Sequence, residues 1–131
     1  MKEELGLDRG WYFSVRSGPN PDISEPIKGF RLAAVKHNVG DMVWQGINSP
    51  RDDVEFINKI ADDYITEDGK SGKAAERILS GEPAIMLIHW QSLYSNGTRS
   101  GLRAFEKIAE RINRCYGDIA EWMTFSEFAN L

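Results

Sequence analysis

His37 and His89 are the two histidines of the chain. With Asp41 they compose a two-histidine, one-carboxylate set of the kind that holds a divalent metal. Their spacing matches no local metal motif, so no metal ligand is assigned. His89 is better placed for chemistry. It closes the run Ala84-Ile85-Met86-Leu87-Ile88, which follows the breaker Gly81-Glu82-Pro83 and precedes Trp90. Such a short apolar run fits a strand buried on both faces, as in a parallel sheet. Ligands of α/β folds gather at the carboxyl ends of strands, and His89 and Trp90 stand at that end. A strand-end histidine bonded to backbone accounts for the same residue.

The tryptophans Trp11, Trp44, Trp90 and Trp122 each fall in or at the end of an expected strand. Sheet and core packing accounts for most of them. Trp44 and Trp90 differ, because both lie where a strand gives way to a loop. An exposed indole at such a place stacks on the apolar face of a sugar ring, and packing and sugar binding both remain open for these two. Other local patterns carry less. Gly69-Lys70-Ser71 lacks the earlier glycine of a phosphate loop, since Tyr64 occupies that position. Asn96-Gly97-Thr98 is a glycosylation sequon without a secretion signal. Asp52-Asp53 reads as helix-cap electrostatics, and Asp62-Asp63 as a solvated face. No Gly-x-Ser-x-Gly elbow is present for serine hydrolysis.

The elements that must position these residues follow from periodicity and breakers. Trp11–Val15 and Phe30–Val35 read as strands, residues 20 to 29 as irregular, and Met42-Val43-Trp44 as a short strand. Ser49-Pro50-Arg51-Asp52-Asp53 reads as a helix start, with Ser49 as N-cap and Pro50 in the first turn. Val54, Ile57, Ile60, Ala61, Tyr64 and Ile65 then recur at helical spacing. A second helix is expected over 71–80, ended by Gly81 in the left-handed region. After His89-Trp90 comes an expected loop, 91–101, and long loops of this kind tend to bind ligands. A long helix follows, with Leu102, Phe105, Ile108, Ala109, Ile112 and Cys115 inward. The chain then reads as a strand over 119–123 and a capping box, Thr124-Phe125-Ser126-Glu127, opening a last short helix. The alternation from Met42 onward predicts an α/β fold with a mostly parallel sheet.

The segment Ala74–His89 resembles the closing half of the polysaccharide deacetylase domain of carbohydrate esterases. In that family a helix and a Gly-containing turn lead into an apolar strand ending Leu-x-His, here Leu87-Ile88-His89. A loop, a long helix, a strand and a short helix follow, matched here by residues 101–114 and Glu121–Glu127. The resemblance spans residues 11–131. It implies part of an irregular (β/α) barrel that removes N- or O-acetyl groups from sugars, usually with a divalent metal. It casts His89 as the general acid that protonates the leaving group. It places Trp44 on the wall of the acetyl pocket. Arg16 becomes the arginine that orients the catalytic carboxylate, although Arg-x-Pro is altered here to Arg-x-x-Pro; Arg31 is the second candidate. The family's early Asp-Asp base motif and its His-x-x-x-His metal pair have no counterpart, and a complete domain would carry both before residue 1. The expected isolated chain therefore holds no cofactor and has little or no hydrolytic activity, with the metal confined to a complete domain.

Length and composition bound these readings. At 131 residues, 41% hydrophobic and 27% charged, the chain fits one ordinary soluble domain. A net charge of −4 argues against nucleic acid as a partner. No apolar window approaches a membrane span, and the first residues show no secretion signal. The lone Cys115 excludes an internal disulfide and a cysteine-based zinc site. The expected partner is a polysaccharide or oligosaccharide. The alternative is a non-catalytic carbohydrate-binding module, or an α/β module that covers an open sheet edge by self-association.

Overall fold

A computed structural model describes residues 9–12, 23–27, 30–34, 38–41, 43–44, 49–94, 97–124 and 127; for residues 9–41 the description is of backbone alone. The chain divides into two compact units, Met1–Asn38 with Trp122–Leu131, and Val39–Glu121.

The first unit holds strands β1 (Arg9–Tyr12), β2 (Ile23–Ile27) and β3 (Phe30–Ala34) in the order β1-β3-β2. β1 runs parallel to β3, with Trp11 opposite Ala33. β2 runs antiparallel to β3. The expected irregular stretch over 20–29 therefore contains a strand. Its sequence hid it for a physical reason. Ser24 pairs with Leu32 and Ile27 with Phe30, so Glu25 and Pro26 together stand opposite Arg31. Proline cannot donate to a ladder, and a bulge is one of the few places a strand accepts it. The same unit contains the expected capping box. The Thr124 N–H and Oγ1 both donate to Glu127 Oε2, at 2.6 and 2.8 Å, and the Glu127 N–H donates back to Thr124 Oγ1 at 3.3 Å. Residues 119–123, expected as a strand, form none: Ile119 lies in a turn and 120–123 have no regular structure. The Ile119 and Ala120 N–H groups both bond back to the Tyr116 carbonyl, so the chain winds off a helix end instead of extending.

The second unit contains β4 (Asn38–Asp41) from Val39 onward, α1 (Val54–Asp62), α2 (Lys73–Leu79), β5 (Ile85–Leu87), α3 (Trp90–Tyr94) and α4 (Ser100–Tyr116). β4 and β5 form a two-stranded sheet. The core is mainly helical. Ile57, Ile60 and Ala61 of α1, with Tyr64 and Ile65 just beyond it, pack with Ala74 and Ala75 of α2 and with Ala104, Ile108, Ile112 and Tyr116 of α4. Each fully buried isoleucine contributes about 2 kcal/mol. The α4 face is rotated from the expected one. Ile108 and Ile112 are buried, but Leu102, Phe105, Ala109 and Cys115 lie at the margin, and Ala104, Arg111 and Tyr116 fill the interior. The run from Ala84 to Ile88 is half-buried throughout, not sealed on both faces.

The start of α1 also shifts. Asp53, not Ser49, is its N-cap, with extended backbone and a carboxylate that accepts from the Phe56 N–H at 3.0 Å. Ser49 Oγ instead accepts from the Arg51 N–H. Arg51 decides the choice, because its Nε and Nη2 grip both Asp53 oxygens at 2.8 Å. The Arg51 bond first, and the Phe56 N–H next, hold the Asp53 carboxyl down at about 2. A depressed carboxyl stabilises the folded state above its ordinary pKa and loses that contribution as pH falls through the folded value. The Phe56 amide resonance is therefore expected to titrate with a midpoint near 2, and Asp53→Asn to abolish that transition; a midpoint in the ordinary aspartate range would refute the cap.

Candidate binding site around His89

His89 follows β5 and leads into α3. Its carbonyl accepts from the Ser92 N–H at 3.1 Å and from Ser92 Oγ at 2.6 Å, which turns the chain out of the strand into the helix. The expected loop over 91–101 is thus helical in its first part. Ser92 is buried, and α3 lies against α4 so closely that a Cβ on Gly101 would stand 1.9 Å from the Ser92 carbonyl oxygen. This close backbone approach positions α3, which carries Trp90 at its first residue and Tyr94 at its last. Trp90 is 71% exposed, and its indole stacks on Tyr94 with centroids 4.4 Å apart and planes tilted by 35°. The spacing is i, i+4, the separation at which helical side chains meet.

Trp44 reaches the same imidazole from another element. Its indole is 46% exposed and meets the His89 ring edge-on, centroids 5.9 Å apart at 75°. The backbone that presents it was expected to be a strand and is not. Val43 is fully buried with φ of +57°, in the left-handed region. That conformation is an outlier for a β-branched residue and costs about 1–3 kcal/mol. The buried Tyr64 hydroxyl accepts from the Val43 N–H at 3.2 Å.

Of the residues singled out from sequence, the structure thus brings Trp44 and His89 into contact and places Trp90 next to His89 in the chain. Arg16 and His37 lie outside the described residues, as do the side chains of Arg31 and Asp41. Among the described residues no three His, Cys, Asp or Glu side chains converge as metal ligands. No helix of the described chain is long and apolar enough to cross a membrane.

A second polar cluster was missed from sequence. Arg111 of α4 is buried, and its Nη1 donates to Asp62 Oδ1 at 2.8 Å and to the Ile65 carbonyl at 2.7 Å, while Nε donates to Glu67 Oε2 at 2.9 Å. Arg114 holds the other Glu67 oxygen and the Glu67 carbonyl, and the Tyr116 hydroxyl donates to the Gly69 carbonyl. Asp62, read as merely solvated, is therefore a structural acceptor. Partial burial pushes the Glu67 carboxyl up, but Arg111 and Arg114 outweigh it and hold it below its usual range. This cluster clasps the 62–69 segment to α4. Its guanidinium is turned inward onto protein acceptors, so it offers no face to a ligand. A shallow depression between Arg51 and Asp62 has walls from α1 and its N-terminal approach only.

The indoles of Trp44 and Trp90 both reach the surface near His89. No protein-family model matches the sequence, and neither a curated protein nor a solved structure shows significant similarity to it.

Proposed function

We propose that the surface formed by Trp44, His89, Trp90 and Tyr94 binds a saccharide, as the recognition surface of a deacetylase-like domain. The observation that carries this reading is the pairing of rings: two exposed indoles, each braced by a second ring, flank the chain at His89. Bracing removes rotamer freedom before binding, which lowers the entropy cost of stacking. The test is a calorimetric titration with acetylated chito- and xylo-oligosaccharides. Trp44→Ala and Trp90→Ala are each expected to weaken binding about tenfold, roughly 1.4 kcal/mol, with the fold retained because neither tryptophan is part of the buried core. Wild-type affinity in both variants would overturn the reading.

Acetyl hydrolysis is the second reading, favoured by the position of the exposed His89 after β5 with the Trp44 edge alongside it. His89 would protonate the leaving amine or alcohol. The divalent metal implied by the resemblance finds no convergent ligand set among the described residues, and no step is derived through it. Acetate release measured in the same titration separates the two readings: release abolished by His89→Gln supports hydrolysis, whereas binding without release leaves recognition alone.

A further inference from the structure

Tyr64 lies in the core, yet its hydroxyl ends at the backbone that presents Trp44. We infer that Tyr64 is a positioning residue of the site, holding the Trp44 indole against His89 by fixing Val43 in the left-handed turn; this inference rests on the saccharide reading only for its consequence in binding. Three observations carry it. The Val43 N–H is buried and donates to the Tyr64 hydroxyl, so an alternative turn at Val43 must give up that bond. Val43 is a β-branched residue held at φ +57°, a conformation that persists only when its surroundings over-determine it. Tyr64 itself is anchored: its carbonyl accepts from the Ala74 and Ala75 N–H groups at the start of α2, its N–H donates to the Ala61 carbonyl, and Lys73 Nζ lies 5.5 Å from its ring centroid. The Tyr64 hydroxyl thereby adds a directional bond, beside the packing of the buried Val43, to what sets the angle of an exposed ring.

The test is Tyr64→Phe, which deletes the hydroxyl and keeps the buried ring. The first readout needs no ligand. The His89 ring protons lie in the field of the Trp44 indole, and their NMR shifts, assigned against a His37→Gln variant, are expected to move toward free-imidazole values in Tyr64→Phe. The second readout is affinity for an acetylated chito-oligosaccharide, expected to fall at least threefold. A merely structural hydroxyl would lower the unfolding temperature and leave the His89 shifts in place, and that result overturns the inference. Should Tyr64→Phe not fold, amide exchange in the wild-type protein decides: slow exchange at Val43 supports the bond, and exchange at the unprotected rate overturns it. If the wild-type chain binds no saccharide, the saccharide reading falls alone, because the His89 shifts still decide the role of Tyr64.

Discussion

Gly72→Ala is expected to cost at least about 3 kcal/mol of stability, enough to unfold a marginal domain at ambient temperature. Gly72 precedes α2 with φ of +110° and ψ of 155°, a region open essentially to glycine alone. A Cβ there would stand 2.4 Å from the Tyr64 carbonyl carbon and 2.6 Å from the Ile65 nitrogen. Backbone cannot move aside as a flexible side chain would. The clash also reaches the α2 start, where the Asp63 and Tyr64 carbonyls accept the Lys73, Ala74 and Ala75 N–H groups in place of a side-chain cap. Gly81→Ala is the control. Its φ is +71° with nothing within 4 Å of an added Cβ, so it carries backbone strain alone, about 1 kcal/mol. Chemical denaturation of both variants checks the difference; equal losses would mean that the Gly72–Tyr64 approach is not tight.

Arg111→Met is expected to lose about 3 kcal/mol, because it leaves the buried Ile65 carbonyl without its charged donor and unties the 62–69 segment from α4. The methionine fills much of the same volume, so the loss reports polar contacts more than a cavity. Asp62→Asn and Glu67→Gln should cost far less. Their side chains are 50% and 67% exposed, and water compensates them when the pairing weakens. The depressed Glu67 carboxyl gives the clasp a pH signature: its contribution is complete above the ordinary glutamate range and is lost only as pH falls below it. Urea melts of the three variants check this ranking. An Arg111→Met variant as stable as Glu67→Gln would show that the clasp is incidental.

The residues that could be read correctly from sequence were those whose neighbours in the chain decide their structure. Thr124 and Glu127 form their box through reciprocal bonds three residues apart. The 3.6-residue rhythm of Ile108 and Ile112 located α4 for the same reason. Misreadings arose where a distant group decided. Arg111 was not among the residues expected inward, and acceptors from Asp62, Ile65 and Glu67, 44 to 49 residues away, make its burial tolerable. Its burial turns the whole α4 face. Val43 has strand propensity, but a hydroxyl 21 residues away holds its N–H in a left-handed turn. At α1 two good caps lay four residues apart, and the Arg51 fork on Asp53 selected the second. For the site, His89 and Trp44 were named as separate candidates, and their ring contact required the fold. The bracing of Trp90 by Tyr94 was latent in the i, i+4 spacing, but reading it required a helix where a loop was expected.

The pairing of α1 with α4 has a consequence for biosynthesis. α1 is nine residues long, below the length at which a helix is stable in water on its own. The apolar stripe of Ile57 and Ile60, continued by Tyr64 and Ile65 just beyond the helix, packs with residues 104–116, which leave the ribosome about fifty codons later. Until then only Val43 and the α2 residues Ala74 and Ala75 can cover part of it, and the nascent unit exposes the rest. Chains that emerge N-terminal end first fold in cooperative units, and uncovered apolar surface of this kind is what holdase chaperones recognise. Slow decoding between α2 and α4 would lengthen that exposure, so the yield of folded protein should depend on the tempo of translation through this interval as well as on the stability of the finished fold.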